Sequence, residues 1–266
     1  MTRYAPSYRQ IDRMTKRENA RKKVVKTLKR PFKKFAFHIK QGLATGMSAS
    51  GEWLIYNAQR FSPYKFRAYQ PMPWIGLKTR KRDASTQQRW QAIEENLGIE
   101  GGTALDIGSN LGHFVLRLAE KGFYSIGIDM AYGNVKIAQY AQRKAGIENA
   151  AFSIMAVTPD NVSVLPAVDV LVFFSVWHHW IVTYGYERAL AMLGVIWGKT
   201  RHVMFFESGE DSEIRLLNIT GKPADWVHSQ LEQACPEATI KVIGEFDRGA
   251  HQQIRQTRTL FAVYRQ

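Results

Sequence analysis

With 266 residues, 45% of them hydrophobic, the chain is long enough to bury a sizeable core, and its formal net charge is +14. The single Cys235 excludes an intramolecular disulfide and any cysteine-built metal centre. No apolar run is long enough to span a bilayer and the N-terminus is too charged for a signal peptide, so a soluble or peripheral cytoplasmic protein is expected.

The charge is unevenly spread. Of 37 Lys and Arg, 21 fall in residues 1–82 beside three acids (Asp12, Glu18, Glu52), a local balance of +18. The other 184 residues carry 16 bases and 20 acids. A basic extension therefore precedes a mildly acidic body, which calls for an anionic partner. Residues 1–45 read as a basic amphipathic arm. Val24, Val25 and Leu28 sit within a basic helix, Pro31 interrupts it, and Phe32, Phe35, Phe37 and Ile39 then alternate with lysines and His38. Such an arm suits an anionic membrane surface, suits a phosphate backbone, or remains solvated. Residues 46–84 hold Trp53, Tyr56, Phe61, Tyr64, Phe66, Tyr69 and Trp74 among prolines. They read as a lid or subdomain over a substrate crevice, or as a packed extension without ligand contacts.

The body is expected over residues 85–266. Ser85 to Leu97 reads as a helix with Ser85 as N-cap and Trp90, Ile93 and Leu97 on one face. The pattern then alternates: strand 103–107, helix 112–121, strand 124–128, helix 133–145, strands 150–155 and 168–174, helix 186–197, strand 201–207. Strands separated by helices predict an α/β, doubly wound, mostly parallel sheet. Ile240–Ile243 and Thr259–Val263 add two strands joined by a polar turn, for seven in all.

The most specific motif is Thr103-Ala-Leu-Asp-Ile-Gly-Ser-Asn-Leu-Gly-His-Phe114, a strand that turns through Gly108 and Gly112 into a helix. Glycines there let backbone N–H groups approach a ligand. The next strand ends in Asp129, suited to the hydroxyls of a ribose. A nicotinamide dinucleotide site would need a tighter G-x-G-x-x-G, which Gly108-Ser-Asn-Leu-Gly112 does not supply.

Asp106-Ile-Gly108-Ser-Asn-Leu-Gly112 resembles the first motif of the class I S-adenosylmethionine (SAM) dependent methyltransferases, which have a Rossmann-like fold closed by an antiparallel hairpin. The resemblance implies SAM as cofactor, Asp106 near its amino group, the Gly108–Gly112 backbone against it and Asp129 on its ribose. The cofactor contacts so implied are Asp106, Gly108, Ser109, Asn110 and Gly112, then Asp129 and Met130, Met155 after the third strand, and Ser175 after the fourth. No acid follows the third strand until Asp160, so adenine is expected between apolar groups such as Met155 and Ala156.

Function in such sheets lies just beyond the strand ends. The fourth strand runs into Phe173-Phe-Ser-Val-Trp-His-His-Trp180. Methyl transfer to a hydroxyl needs a proton acceptor, and histidine titrates in the right range. Adjacent residues point apart, so one of the pair should face the substrate. His178 is the favoured base, with His179 fixing loop or cofactor geometry; the alternative is that both only make structural hydrogen bonds. Two histidines at i, i+1 are a poor chelate and no third ligand stands out, so no metal is expected. Glu207, first polar residue after the fifth strand, could orient an acceptor hydroxyl, pair with His178 or cap a helix in solvent. Arg248, Arg255 and Arg258 could grip an anionic acceptor, and Trp53, Trp177 and Trp180 could stack on a sugar or base.

Together with Asp169–Trp180 and Phe205-Phe-Glu207, the SAM motif resembles bacterial methyltransferases of cell-surface (O-antigen type) polysaccharide assembly. That implies a hydroxyl or terminal phosphate of a glycan or glycolipid as acceptor, at the inner face of the cytoplasmic membrane. RNA is the alternative partner, with the arm on its backbone. A third possibility is a non-catalytic scaffold that binds lipid or RNA.

Overall fold

The computed structural model describes residues 70–79, 83–210, 217, 219–247 and 257–266. All lie in the second of the chain's two compact units, 55–266. The arm of residues 1–45, most of the aromatic-rich stretch 46–84, Trp53, Arg248 and Arg255 fall outside the described residues.

Helix α1 (Asp83–Glu95) leads into β1 (Gly102–Ile107), α2 (His113–Glu120), β2 (Phe123–Asp129), α3 (Tyr132–Ala145) and β3 (Ala150–Ile154). The second half runs β4 (Val168–Phe174), α4 (Trp177–Tyr184), α5 (Tyr186–Gly198), β5 (Thr200–Glu207), α6 (Pro223–Ala234), β6 (Thr239–Asp247) and β7 (Thr257–Tyr264). The strand order is β3-β2-β1-β4-β5-β7-β6, with β7 antiparallel to both neighbours and every other pair parallel. The expected doubly wound, seven-stranded, mostly parallel sheet is present.

Burial explains the continuous apolar runs. In β4, Val170 and Val172 face α1 and α2, while Leu171 and Phe173 face α5 and α6. A strand covered on both sides has no polar face to alternate with. Edge strand β6 has one open side and leaves Val242 exposed.

Two helices escaped the sequence pattern. Helix α6 has Pro223 in its first turn, Asp225 beside it, and Val227, Leu231 and Ala234 buried at i, i+4 and i+7. Helix α4 lies inside the aromatic run, taken above only as a strand terminus. Ser85 is not a cap: α1 begins two residues earlier, and the Ser85 hydroxyl donates to the Asp247 carbonyl at 2.7 Å. Trp90, Ile93 and Leu97 are buried together as expected.

The order of strands reverses between β1 and β4, so the carboxyl ends of β1, β2, β4 and β5 open on one crevice, the place where such sheets bind ligands. Gly112 serves packing. With φ +84, a Cβ there would lie 2.4 Å from the Phe152 ring and 3.1 Å from the Ala138 methyl. Glycine lets α2 close on β3 and α3.

Candidate functional site

The crevice is a cleft of about 690 Å³, within the range that small-molecule sites occupy. The β1 end contributes Asp106, Gly108 and Asn110; β2 contributes Asp129 and Met130; the segment after β3 contributes Met155 and Ala156. From β4 and α4 come Ser175, His178, His179 and Trp180, and from β5 comes Glu207. Ser109 and Gly112, expected as cofactor contacts, do not line the cleft. Ser109 is buried, and Gly112 faces Phe152 as described. Met130 lines the cleft at its rim, with 75% of its surface exposed.

The turn after β1 does not offer its amides to a ligand. Gly108 and Ser109 N–H both donate to the Ile128 carbonyl, at 2.7 and 2.9 Å, and Asn110 N–H donates to Asp129 Oδ2 at 2.9 Å. These bonds lock the turn onto β2. Gly108 keeps its place for another reason: with φ +80, a Cβ would sit 2.3 Å from Val176 Cγ2. Asn110, also left-handed (φ 52), is the residue type that tolerates that conformation.

Asp106 is buried, and its Oδ2 has no hydrogen-bond partner among the described residues. Burial, and then the charge of Asp129, hold its carboxyl well above the usual carboxylate range. Asp129 is raised by burial too, but N–H donors from Ala131 (2.7 Å), Asn110 and Asn134 pull it back. An orphaned acid oxygen beside a second acid is a receptor for a cationic group.

The expectation that only one histidine faces the cleft needs correction. Ser175 takes a left-handed turn (φ 57), held by its N–H to the Glu207 carbonyl at 2.7 Å, and α4 starts at once. His178 and His179 fall in its first turn with ring centroids 4.0 Å apart, and both line the cleft. His178 is buried and His179 exposed. Partial burial, then the Arg258 charge, lower the His179 pKa and keep that ring neutral. Trp177 belongs to the core and stacks on Trp226 at 5.6 Å, whereas Trp180 lines the cleft.

Glu207 does not cap a solvated helix. It is 3% exposed and sits between two arginines. Arg89 Nε donates to its Oε2 at 2.6 Å, Ser175 Oγ donates to its Oε1 at 3.0 Å, and Arg258 Nη1 lies 3.5 Å from Oε1. Arg258 also donates to Ser175 Oγ. Arg258, a candidate grip for an anionic acceptor, is buried on β7, and α1 brings in Arg89, which no sequence signal marks. Ser85, Thr86 and Asp247 also line the cleft, as does Gln70 from the short segment ahead of α1.

No group of three or more His, Cys, Asp or Glu side chains is placed to hold a metal among the described residues. No helix among them is long and apolar enough to cross a membrane.

No protein-family model and no curated protein sequence matches the chain. Solved structures do. A 2.2 Å crystal structure of WbdD superposes with a TM-score of 0.60 at 21% identity, over 79% of this chain and 46% of that one. A medium-resolution structure of the same bifunctional kinase-methyltransferase gives 0.59 at 21%, over 79% and 45%. A monomeric form of WbdD gives 0.54 at 21%, over 78% and 48%. The alignments thus span less than half the length of the WbdD chains. At this identity the likeness is one of fold: the chain has the Rossmann-like fold of the class I methyltransferases.

Proposed function

We propose that the protein is a SAM-dependent O-methyltransferase acting on a hydroxyl or terminal phosphate of a glycan or glycolipid. The observation that carries this reading is that one cleft holds both the unsatisfied Asp106 carboxyl and the His178–His179 pair. When bound, SAM would supply a methyl group activated on a sulfonium. The fit rests on this chain's own groups: the orphaned Asp106 Oδ2 for the amino group, the close-packed Gly108 turn, Asp129 for the ribose, and Met155 and Ala156 as apolar walls for adenine. Asn110, Met130 and Ser175 complete the contacts.

His178 takes the proton from an acceptor hydroxyl as its oxygen attacks; a terminal phosphate, already ionised, needs no such base. The neutral His179 ring packs beside it. Glu207 works as a positioning residue, since both its oxygens are engaged by Arg89, Ser175 and Arg258. The +18 balance of residues 1–82 suits an acceptor carried at an anionic membrane face. The likeness to a kinase-methyltransferase supports the methyl transfer.

The test is turnover of methyl-labelled SAM with a lipid-linked glycan extract and total RNA offered side by side. Label in the glycan fraction is expected. Label in RNA overturns the acceptor and gives the arm to a phosphate backbone, with steep loss of binding as salt rises. No label in either overturns the transferase reading.

The buried acid adds a pH signature. Protonated Asp106 has no charge for an amino group, so affinity for S-adenosylhomocysteine (SAH), which keeps that amine, is expected to rise as pH passes upward through the raised Asp106 pKa. Protons should be released on binding, and Asp106→Asn should flatten the profile; calorimetry in buffers of different ionisation enthalpy reads both. The free fold shows the opposite sign. Its contribution from Asp106 is present below the ordinary carboxylate pKa and lost as pH climbs through the raised one.

A further inference from the structure

Residues 70–79 form a strap docked on α2. Met72 is fully buried and bridges Leu77 through backbone bonds at 2.8 and 3.0 Å, with Pro73–Ile75 as a single 3₁₀ turn between them. The Trp74 indole N–H donates to Glu120 Oε1 at 2.6 Å, and the Arg117 guanidinium lies 5.3 Å from its ring centroid. His113 Nδ1 is 2.8 Å from the Pro71 carbonyl. A carbonyl only accepts, so Nδ1 carries the proton.

These contacts place Gln70 at the N-terminus of α2. The N-cap of that helix is Gly112, which has no side chain to cap it. Gln70 does the work from 43 positions away: its Oε1 accepts the His113 N–H at 3.3 Å. Gln70 is 7% exposed and lines the cleft. With its oxygen spent on the helix, only its NH₂ donors remain for the cleft, and they have no partner among the described residues. A donor polarised by a helix N-terminus favours an anion. Asp106, on the same cleft, is the complementary receptor for a cation.

We infer that Gln70 binds the carboxylate of the cofactor's amino-acid end, so that Gln70 and Asp106 together read a zwitterion. The inference rests on the SAM reading above. It makes the strap part of the cofactor site, and it makes affinity depend on the tail of the ligand as well as on its nucleoside.

The informative variant is Gln70→Glu. It keeps an oxygen for the His113 N–H, so the helix stays capped and the fold intact, but it removes the donors and sets a negative charge against the carboxylate. Calorimetry on the full chain compares SAH with its decarboxylated analogue, which keeps the amine. The wild type is expected to prefer SAH. In Gln70→Glu, SAH affinity is expected to fall about 10-fold or more while the decarboxylated analogue binds as well as before or better. Gln70→Ala should erase the preference without reversing it. Equal losses for both ligands, or none for SAH, overturn the role of Gln70. A wild type that binds neither ligand overturns the SAM reading itself.

Discussion

Replacing His178 with alanine is expected to cut methyl transfer to a hydroxyl acceptor by about 10²–10⁴-fold, the range that a positioned general base contributes. The loss should appear in kcat with SAH affinity unchanged, because the proposed cofactor contacts follow β1, β2 and β3 and, at Ser175, β4, whereas His178 itself lies in the first turn of α4. His179→Ala is the control. Its ring is exposed at the cleft and packs beside the buried His178 ring. A smaller loss is expected there. The reverse ranking would move the base to His179, and two silent variants would point to an already ionised acceptor oxygen such as a phosphate. Label transfer under saturating SAM, with tight-binding SAH as the integrity check, separates these cases.

The sheet was readable because its central strands are buried on both sides. β4 and β5 carry the continuous apolar runs Val170–Phe174 and Val203–Phe206, and such runs, spaced by amphipathic helices, build a parallel sheet. Helix α4 was hidden because Phe173–Trp180 is equally apolar in either conformation. What ends the strand is the left-handed turn at Ser175 (φ 57), whose N–H is anchored on the Glu207 carbonyl 32 residues away. Motif spacing located Asp106, Gly108, Asn110 and Asp129 on the cleft, but it cannot say what occupies the place of a missing Cβ. Gly108 faces Val176 and Gly112 faces Phe152, so two glycines of one motif do different jobs. For Glu207 the place was legible and the partners were not, since Arg89 comes from 118 residues upstream and Arg258 from 51 downstream.

Those partners make Glu207→Ala the variant with the largest expected cost in stability. Its removal leaves Arg89 and Arg258, with side chains 12% and 5% exposed, without the carboxylate that joins them. Breaking a buried ion network from one side costs about 3–5 kcal/mol, because the charges left behind remain desolvated. At about 2–4 °C of melting temperature per kcal/mol for a domain of this size, a drop on the order of 10 °C is expected. Urea unfolding gives the energy directly. Activity should fall with it, since the same carboxylate holds the Ser175 hydroxyl, and Ser175 sets where α4 begins and where His178 points. Glu207→Gln sharpens the test by keeping the shape while removing the charge. A positioning role predicts that Gln loses stability and turnover together, each less than Ala. A Gln variant with native melting temperature and no turnover would show instead that the Glu207 carboxylate itself exchanges a proton with the acceptor.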